Sequence, residues 1–158
     1  MKKYFFIAAA ILIFDRILKI LSARSPGKIF LIPDVLSFDY YLNRGLAFSI
    51  RFPRGLTIFI SLIFLALIVY FVRRAYAGRE PRQFFFWLLI FFGAGSNFFD
   101  RAAYGGTIDY LNFFGVSFVN LADGMILTGI IILLFKIKKS QIQISKSQIN
   151  SNIQNPKV

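Results

Sequence analysis

Cysteine and histidine are both absent from this chain of 158 residues, which closes off whole classes of chemistry. No thiol nucleophile, disulfide framework, His-ligated zinc or Ser-His-Asp triad can be built from what remains. Acids are scarce as well: seven Asp and Glu stand against nineteen Lys and Arg, for a net charge of +12. Acid–base work therefore falls to a few carboxylates, Lys, Arg and Tyr. Four of the acids, Asp15, Asp100, Asp109 and Asp123, lie inside or at the edges of long apolar runs. A carboxylate beside hydrocarbon costs about 2.5–3.5 kcal/mol on insertion scales, so such residues are kept for function.

What is plentiful is hydrocarbon. The chain is 57% hydrophobic, with a mean hydropathy of +0.64, too apolar for a soluble domain. Residues 4–21, 56–72, 84–99 and 116–135 read as membrane spans, the third slightly short unless Asp100 lies at the interface. None of the five prolines falls inside these runs, and uninterrupted apolar stretches favour helices over the alternation of barrel strands. The first run follows Lys2 and Lys3 as a signal peptide would. It contains Asp15, Arg16 and Lys19 and no clear small-residue cleavage site, so it is read as a permanent helix.

The positive charge is distributed by position, not gathered into a nucleic-acid patch. Lys2 and Lys3, then Arg73, Arg74, Arg79 and Arg82, then Lys136, Lys138 and Lys139 flank alternate ends of the spans. That pattern puts both termini and the middle loop in the cytoplasm and draws anionic lipid to that face. The first outer loop, residues 24–55, also carries basic residues, but the middle loop is denser in charge and closer to the membrane. Within the outer loop, 29–32 and 35–42 are short apolar or alternating pieces broken by Pro33-Asp34, the signature of a small extracytoplasmic sheet. The second outer loop covers 100–115. The expected architecture is an all-α membrane protein of four transmembrane helices with that small β-sheet, a single domain over 1–137. A polar tail over 138–158, in which Lys-Ser-Gln-Ile recurs at 139 and 146, is read as disordered and without chemistry.

Three segments carry the candidate chemistry. Asn120-Leu121-Ala122-Asp123 opens the fourth helix, with Asn120 and Asp123 on one face. The plain reading is an N-cap and a first-turn acid. Asn97-Phe98-Phe99-Asp100-Arg101 ends the third helix, after small residues Gly93, Ala94, Gly95 and Ser96 that permit close helix approach. Asp109 follows Gly105-Gly106 in a loop short enough to bring it near Asn97, Arg101, Asn120 and Asp123. Two carboxylates together in low dielectric do not both ionise easily. One then activates water while the other protonates a leaving amine, which suits amide hydrolysis without metal or covalent intermediate. Arg101 and the Asn side chains would orient the carboxylates or a scissile carbonyl. Asp15 and Lys19, an i, i+4 pair, read as a structural charge pair that organises the bundle.

In order, Asp15…Lys19, Asn43-Arg44-Gly45-Leu46-Ala47-Phe48, Gly93-Ala94…Asn97-Phe98-Phe99-Asp100-Arg101, Asp109-Tyr110 and Asn120-Leu121-Ala122-Asp123 resemble lipoprotein signal peptidase, the type II signal peptidase of bacteria. The resemblance covers about residues 10–135. It implies a cofactor-free aspartic endopeptidase of the bacterial cytoplasmic membrane. Such an enzyme cuts the signal peptide from prolipoproteins just before the lipid-modified cysteine. By the same resemblance Asp109 and Asp123 correspond to the catalytic dyad. Asn43, Gly45, Asn97, Arg101 and Asn120 match positions that support the dyad or contact substrate, and the first outer loop corresponds to a sheet that cradles it. Partners expected are the lipid-modified precursors and membrane lipid, with no nucleic acid and a monomeric state. Departures from the family pattern are Arg16 where Gln is usual, Ser96 where Gly is frequent, and a short stretch between the two acids. Competing readings are a Mg²⁺-dependent lipid-headgroup transferase, a Ser/Lys peptidase with Lys19 as base, and a small scaffold or transporter using the acids as an ion relay.

Overall fold

The helices start and stop where the charges, prolines and glycines put them. The computed structural model describes residues 1–45 and 53–136; Leu46–Phe48 of the second motif piece and the tail over 138–158 lie outside the described residues. Helix α1 runs Lys2–Arg24, α2 runs Arg54–Ala77 and α3 runs Pro81–Tyr104. A fourth helix, α4, is continuous from 121 to 136. Pro81 opens α3 at the position where a missing N–H costs nothing, and Gly105 closes it at φ 76 with its N–H on the Arg101 carbonyl.

Helix α3 is central, packing on both α1 and α2. The α2–α3 contact includes Phe71 stacked on Trp87 at 4.5 Å between ring centroids. Against α4, α3 approaches through two glycines. A Cβ on Gly93 would fall 2.6 Å from the Ala122 carbonyl oxygen, and one on Gly129 would fall 2.8 Å from that of Phe86. Gly95, by contrast, faces open space and takes no part in the close approach expected of that whole small-residue stretch.

Among the described helices, α2 is the one long and apolar enough to cross a membrane by length and composition, with a mean hydropathy of 2.7 and only 11% of that window buried. An apolar surface of that size left uncovered requires lipid or a partner. The charges of α1 (Asp15, Arg16, Lys19) and the polar end of α3 (Asn97, Asp100, Arg101) are what separate those helices from it.

The sheet is larger than the sequence reading had it. Besides β1 (Ile29–Ile32) and β2 (Leu36–Asn43), it contains β3 (Thr107–Phe113) and β4 (Ser117–Val119), antiparallel in the order β1-β2-β3-β4. The segment between α1 and α2 and the segment between α3 and α4 therefore both build it, and the fourth helix begins at 121, not 116. Each hairpin turn has its own chemistry. Pro33-Asp34, with Asp34 at φ 57, joins β1 to β2; Phe114-Gly115, at φ 53 and 73, makes the tight turn from β3 to β4. The register pairs Tyr41 with Asp109 and Asn43 with Thr107. These four residues consequently share one face of the sheet, while Ile108 and Tyr110 point to the other.

Candidate active site

The face that holds Asp109 looks into a cavity of about 780 Å³ between the sheet and the sheet-side ends of α2, α3 and α4. Asn43, Asn97, Arg101, Thr107, Asp109 and Asp123 supply most of its polar lining, and Tyr41, Phe64, Val116, Phe118 and Ile126 much of its apolar wall. Each strand and helix contributes for a local reason. The glycine cap of α3 turns the chain directly into β3, so Asp109 comes within reach of the end of α3 that holds Asn97 and Arg101. Asn120 caps α4 reciprocally with Asp123. The Asn120 Oδ1 accepts the Asp123 N–H at 2.9 Å, and the Asp123 Oδ2 accepts the Asn120 N–H at 3.2 Å.

The two carboxylates are joined through amides. Asn120 Nδ2 donates to Asp109 Oδ1 at 2.6 Å, and Asn43 Nδ2 donates to Asp109 Oδ2 at 3.1 Å. Asn97 Nδ2 donates to Asp123 Oδ1 at 2.7 Å. The Asn97 Oδ1 in turn accepts from Asn120 Nδ2 at 3.2 Å and from Lys19 Nζ at 3.0 Å. Gly45 does not line this cavity; its N–H donates to Asn43 Oδ1 at 3.0 Å and so fixes which end of that amide faces Asp109. Burial, and then the neighbouring Asp123 charge, push Asp109 from its ordinary 3.8 up to about 6, against the opposing pull of the Asn43 and Asn120 hydrogen bonds and the Lys19 charge. The Arg101 Nε and Thr107 Oγ1 are buried with no hydrogen-bond partner among the described residues, and both side chains line the cavity.

Behind this wall lies a second cluster of charges. Lys19 Nζ is fully buried, 3.3 Å from Asp15 Oδ2 and 2.7 Å from Asp100 Oδ2, and it also donates to Ser96 Oγ at 3.2 Å. Arg16 bonds Asp100 Oδ1, and its guanidinium lies 4.8 Å from the centroid of the Phe99 ring. Asp100 is thus occupied by two cations and does not line the cavity. Ser96 and Arg16, two of the three departures noted in the sequence, both enter this cluster, with Ser96 donating to Asp15 Oδ2 at 2.6 Å. Sequence reasoning gave no role to Thr107 or to the Tyr110 hydroxyl. Thr107 shares a strand face with Asp109 at i, i+2, a signal readable once β3 is known to be a strand.

A helical bundle capped by a small antiparallel sheet has counterparts among solved structures. A bacterial membrane enzyme determined by the in meso method at 2.3 Å superposes with a TM-score of 0.78 at 27% identity, covering 89% of this chain and 90% of that one. A second such enzyme, determined at 1.9 Å, gives 0.73 at 27% identity, covering 87% and 93%. The fold is therefore that of a class of bacterial membrane enzymes. Residues 7–139 match the family described as signal peptidase (SPase) II. The lipoprotein signal peptidase of Chlorobaculum tepidum is 32% identical over 147 residues, covering 82% of this chain and 90% of the relative. That of Staphylococcus aureus strain MRSA252 is 31% identical over 152 residues, covering 87% and 92%. The chain belongs to the signal peptidase II family, and with it to the proteases of the bacterial membrane.

Proposed function

We propose that this protein is an aspartic endopeptidase that removes the signal peptide from lipid-modified prolipoproteins, cutting just before the diacylglyceryl-cysteine, with Asp109 and Asp123 as its catalytic dyad. The observation that carries this reading is that the two carboxylates face one cavity and are bridged by one residue, Asn120, whose side-chain amide donates to Asp109 Oδ1 and whose backbone N–H donates to Asp123 Oδ2. In this reading the ionised member of the pair takes a proton from water as the water oxygen adds to the scissile carbonyl carbon. The protonated member gives its proton to the carbonyl oxygen. When the tetrahedral intermediate collapses, the C–N bond breaks and the dyad returns a proton to the leaving amine.

The unpartnered Arg101 Nε offers a donor to the developing oxyanion. Asn43, Asn97 and Asn120 hold the carboxylates without locking either of them ionised. The apolar wall of Tyr41, Phe64, Val116 and Phe118 suits a substrate whose cysteine carries acyl chains. In the membrane, the bundle would span four times with both termini cytoplasmic and the dyad near the outer leaflet, where a lipid-anchored cysteine sets the scissile bond. The proteins it meets there would be lipidated precursors, and it would act as a monomer.

The test is processing of a purified lipidated precursor by wild type, Asp109→Asn and Asp123→Asn, each with EDTA and without it. Wild type is expected to cut in both conditions. Both variants are expected to fold and to lose at least about 10³-fold in rate, as loss of a catalytic acid or base does. Cleavage at wild-type rate by either variant would end this reading, and loss of wild-type activity in EDTA would favour the metal-dependent competitor.

A further inference from the structure

Tyr110 follows Asp109 on β3, so its side chain leaves the strand on the side away from the cavity. It is fully buried. Its hydroxyl donates to Asp15 Oδ1 on α1 at 3.1 Å and accepts the backbone N–H of Leu121 at 2.9 Å. Leu121 is the first residue of α4, and the next N–H, that of Ala122, donates to the same Asp15 oxygen at 3.2 Å. A helix start leaves its first N–H groups without intrahelical partners. Here Tyr110 and Asp15 take two of them in the turn that presents Asp123. Asp15 is itself fixed by Ser96 and Lys19. On the other side of Asp109, the Ile108 N–H donates to Asp100 Oδ2 at 3.2 Å.

We propose that Tyr110 is a positioning residue for the dyad: its hydroxyl ties the strand that carries Asp109 to the helix turn that carries Asp123 and holds the two carboxylates at their working separation. The inference rests on the peptidase reading of those two acids and extends it to a group on the far side of the strand. Two acids facing one cavity repel each other whenever both are charged. Besides the β3–β4 ladder, which ends at Leu111–Val119, a second side-chain link from β3 to the start of α4 runs through Asn120, which binds the reacting groups themselves. The Tyr110 link is independent of them. A phenylalanine in its place would fill nearly the same volume but leave the Leu121 N–H without its acceptor in a buried setting. An unsatisfied donor there would draw the helix start toward another partner.

The experiment compares wild type with Tyr110→Phe and Leu121→Pro in detergent, measuring kcat, KM, the pH dependence of kcat/KM and the thermal midpoint. Leu121→Pro removes the N–H that the phenol accepts, at the helix position that tolerates proline. In both variants kcat is expected to fall about tenfold or more with KM within about twofold, since geometry at the reacting atoms changes and binding does not. The alkaline limb, where the pair loses its last proton, is expected to move down. The loosened carboxylates separate, and Asp123 presses less on Asp109 while Lys19 on α1 and Arg101 on α3 still face it. An unchanged limb with unchanged kcat in folded Tyr110→Phe overturns the proposal. A loss of activity that only tracks the folded fraction, with the limb unmoved, overturns it too. If Tyr110→Phe does not fold, Leu121→Pro decides by the same criteria. Asp109→Asn and Asp123→Asn run alongside: activity retained there overturns the dyad and this inference with it, whereas inactive Asp variants beside an unaltered Tyr110→Phe overturn this inference alone.

Discussion

Four buried or half-buried acids fall into two kinds according to what neutralises them. Asp15 and Asp100 are in contact with Lys19, and Asp100 also with Arg16. Asp109 and Asp123 have only amide and N–H donors, and neither makes an ion pair among the described residues. A cation at contact distance would hold a carboxylate ionised. Neutral amides leave one member of the proposed dyad free to keep its proton up to about pH 6, as the proposed acid–base chemistry requires. With Asp109 at about 6 beside an ionised Asp123, loss of the pair's last proton is expected to make kcat/KM fall through an alkaline limb near that value, an apparent constant that belongs to the pair. Asn43→Ala removes a hydrogen bond that favours the ionised form, so the limb should move up by about one pH unit. An unmoved limb would show that Asn43 does not act on this carboxylate. The same shift has a stability consequence. Because the folded-state value lies above the ordinary 3.8, the folded protein holds the proton more tightly than the unfolded chain. Stability from this group is therefore present below about 4 and is lost as pH rises through about 6, by up to about 3 kcal/mol. The thermal midpoint of Asp109→Asn relative to wild type should improve across that window. A constant difference from pH 4 to pH 7 would remove burial as the cause of the shift.

At the scale of elements, the close approach of α3 and α4 sets where Asn97 meets Asp123. Gly93 sits against the Ala122 carbonyl, one residue before Asp123, so a side chain there has to push the first turn of α4 outward. Overpacking of this kind costs about 1–3 kcal/mol, and a displacement of about 1 Å at reacting groups costs about 10²-fold in rate. Gly93→Ala is expected to lower both the thermal midpoint and kcat. Gly95→Ala, facing open space, should leave both near wild type and serves as its control. Equal behaviour of the two variants would count against the packing argument. This scale is also where sequence was least informative. The strands β1 and β2 were readable because Pro33-Asp34 divides two short runs between a helix end and a turn. The strands β3 and β4 were not. The first four residues of β3 are buried on both faces, so the period-two signal vanishes, and three-residue β4 merges with the apolar run that leads into α4. The motif order gave the candidates Asn43, Asp109, Asn120 and Asp123. It did not give the pairing of β2 with β3, which brings Asn43 to Asp109 across 66 residues, because register is a non-local choice.

Over the whole molecule, chemistry and charge occupy opposite ends of the bundle. The ends of α1 and α3, the start of α4 and the sheet gather Lys19, Asn97, Arg101, Asp109 and Asp123. The other ends carry Lys2, Lys3, Arg73, Arg74, Arg79 and Arg82, with Lys136 paired to Glu80 at 2.8 Å. By the positive-inside rule a bundle polarised in this way would insert with its dense basic end in the cytoplasm, leaving the proposed dyad at the outer surface. The basic residues Arg24, Lys28 and Arg54 near the sheet pull the other way, so orientation is decided by density close to the helix ends. The absence of cysteine makes this directly measurable, because any thiol introduced is the only one in the chain. In intact spheroplasts, a membrane-impermeant maleimide should label Lys28→Cys, between α1 and β1, without any detergent. Arg82→Cys, at the opposite end in the first turn of α3, should label only after permeabilisation. The reverse pattern would put the cavity on the cytoplasmic side, where a precursor with its lipidated cysteine in the outer leaflet could not reach the dyad, and the proposed substrate would have to be given up even if both acids proved catalytic.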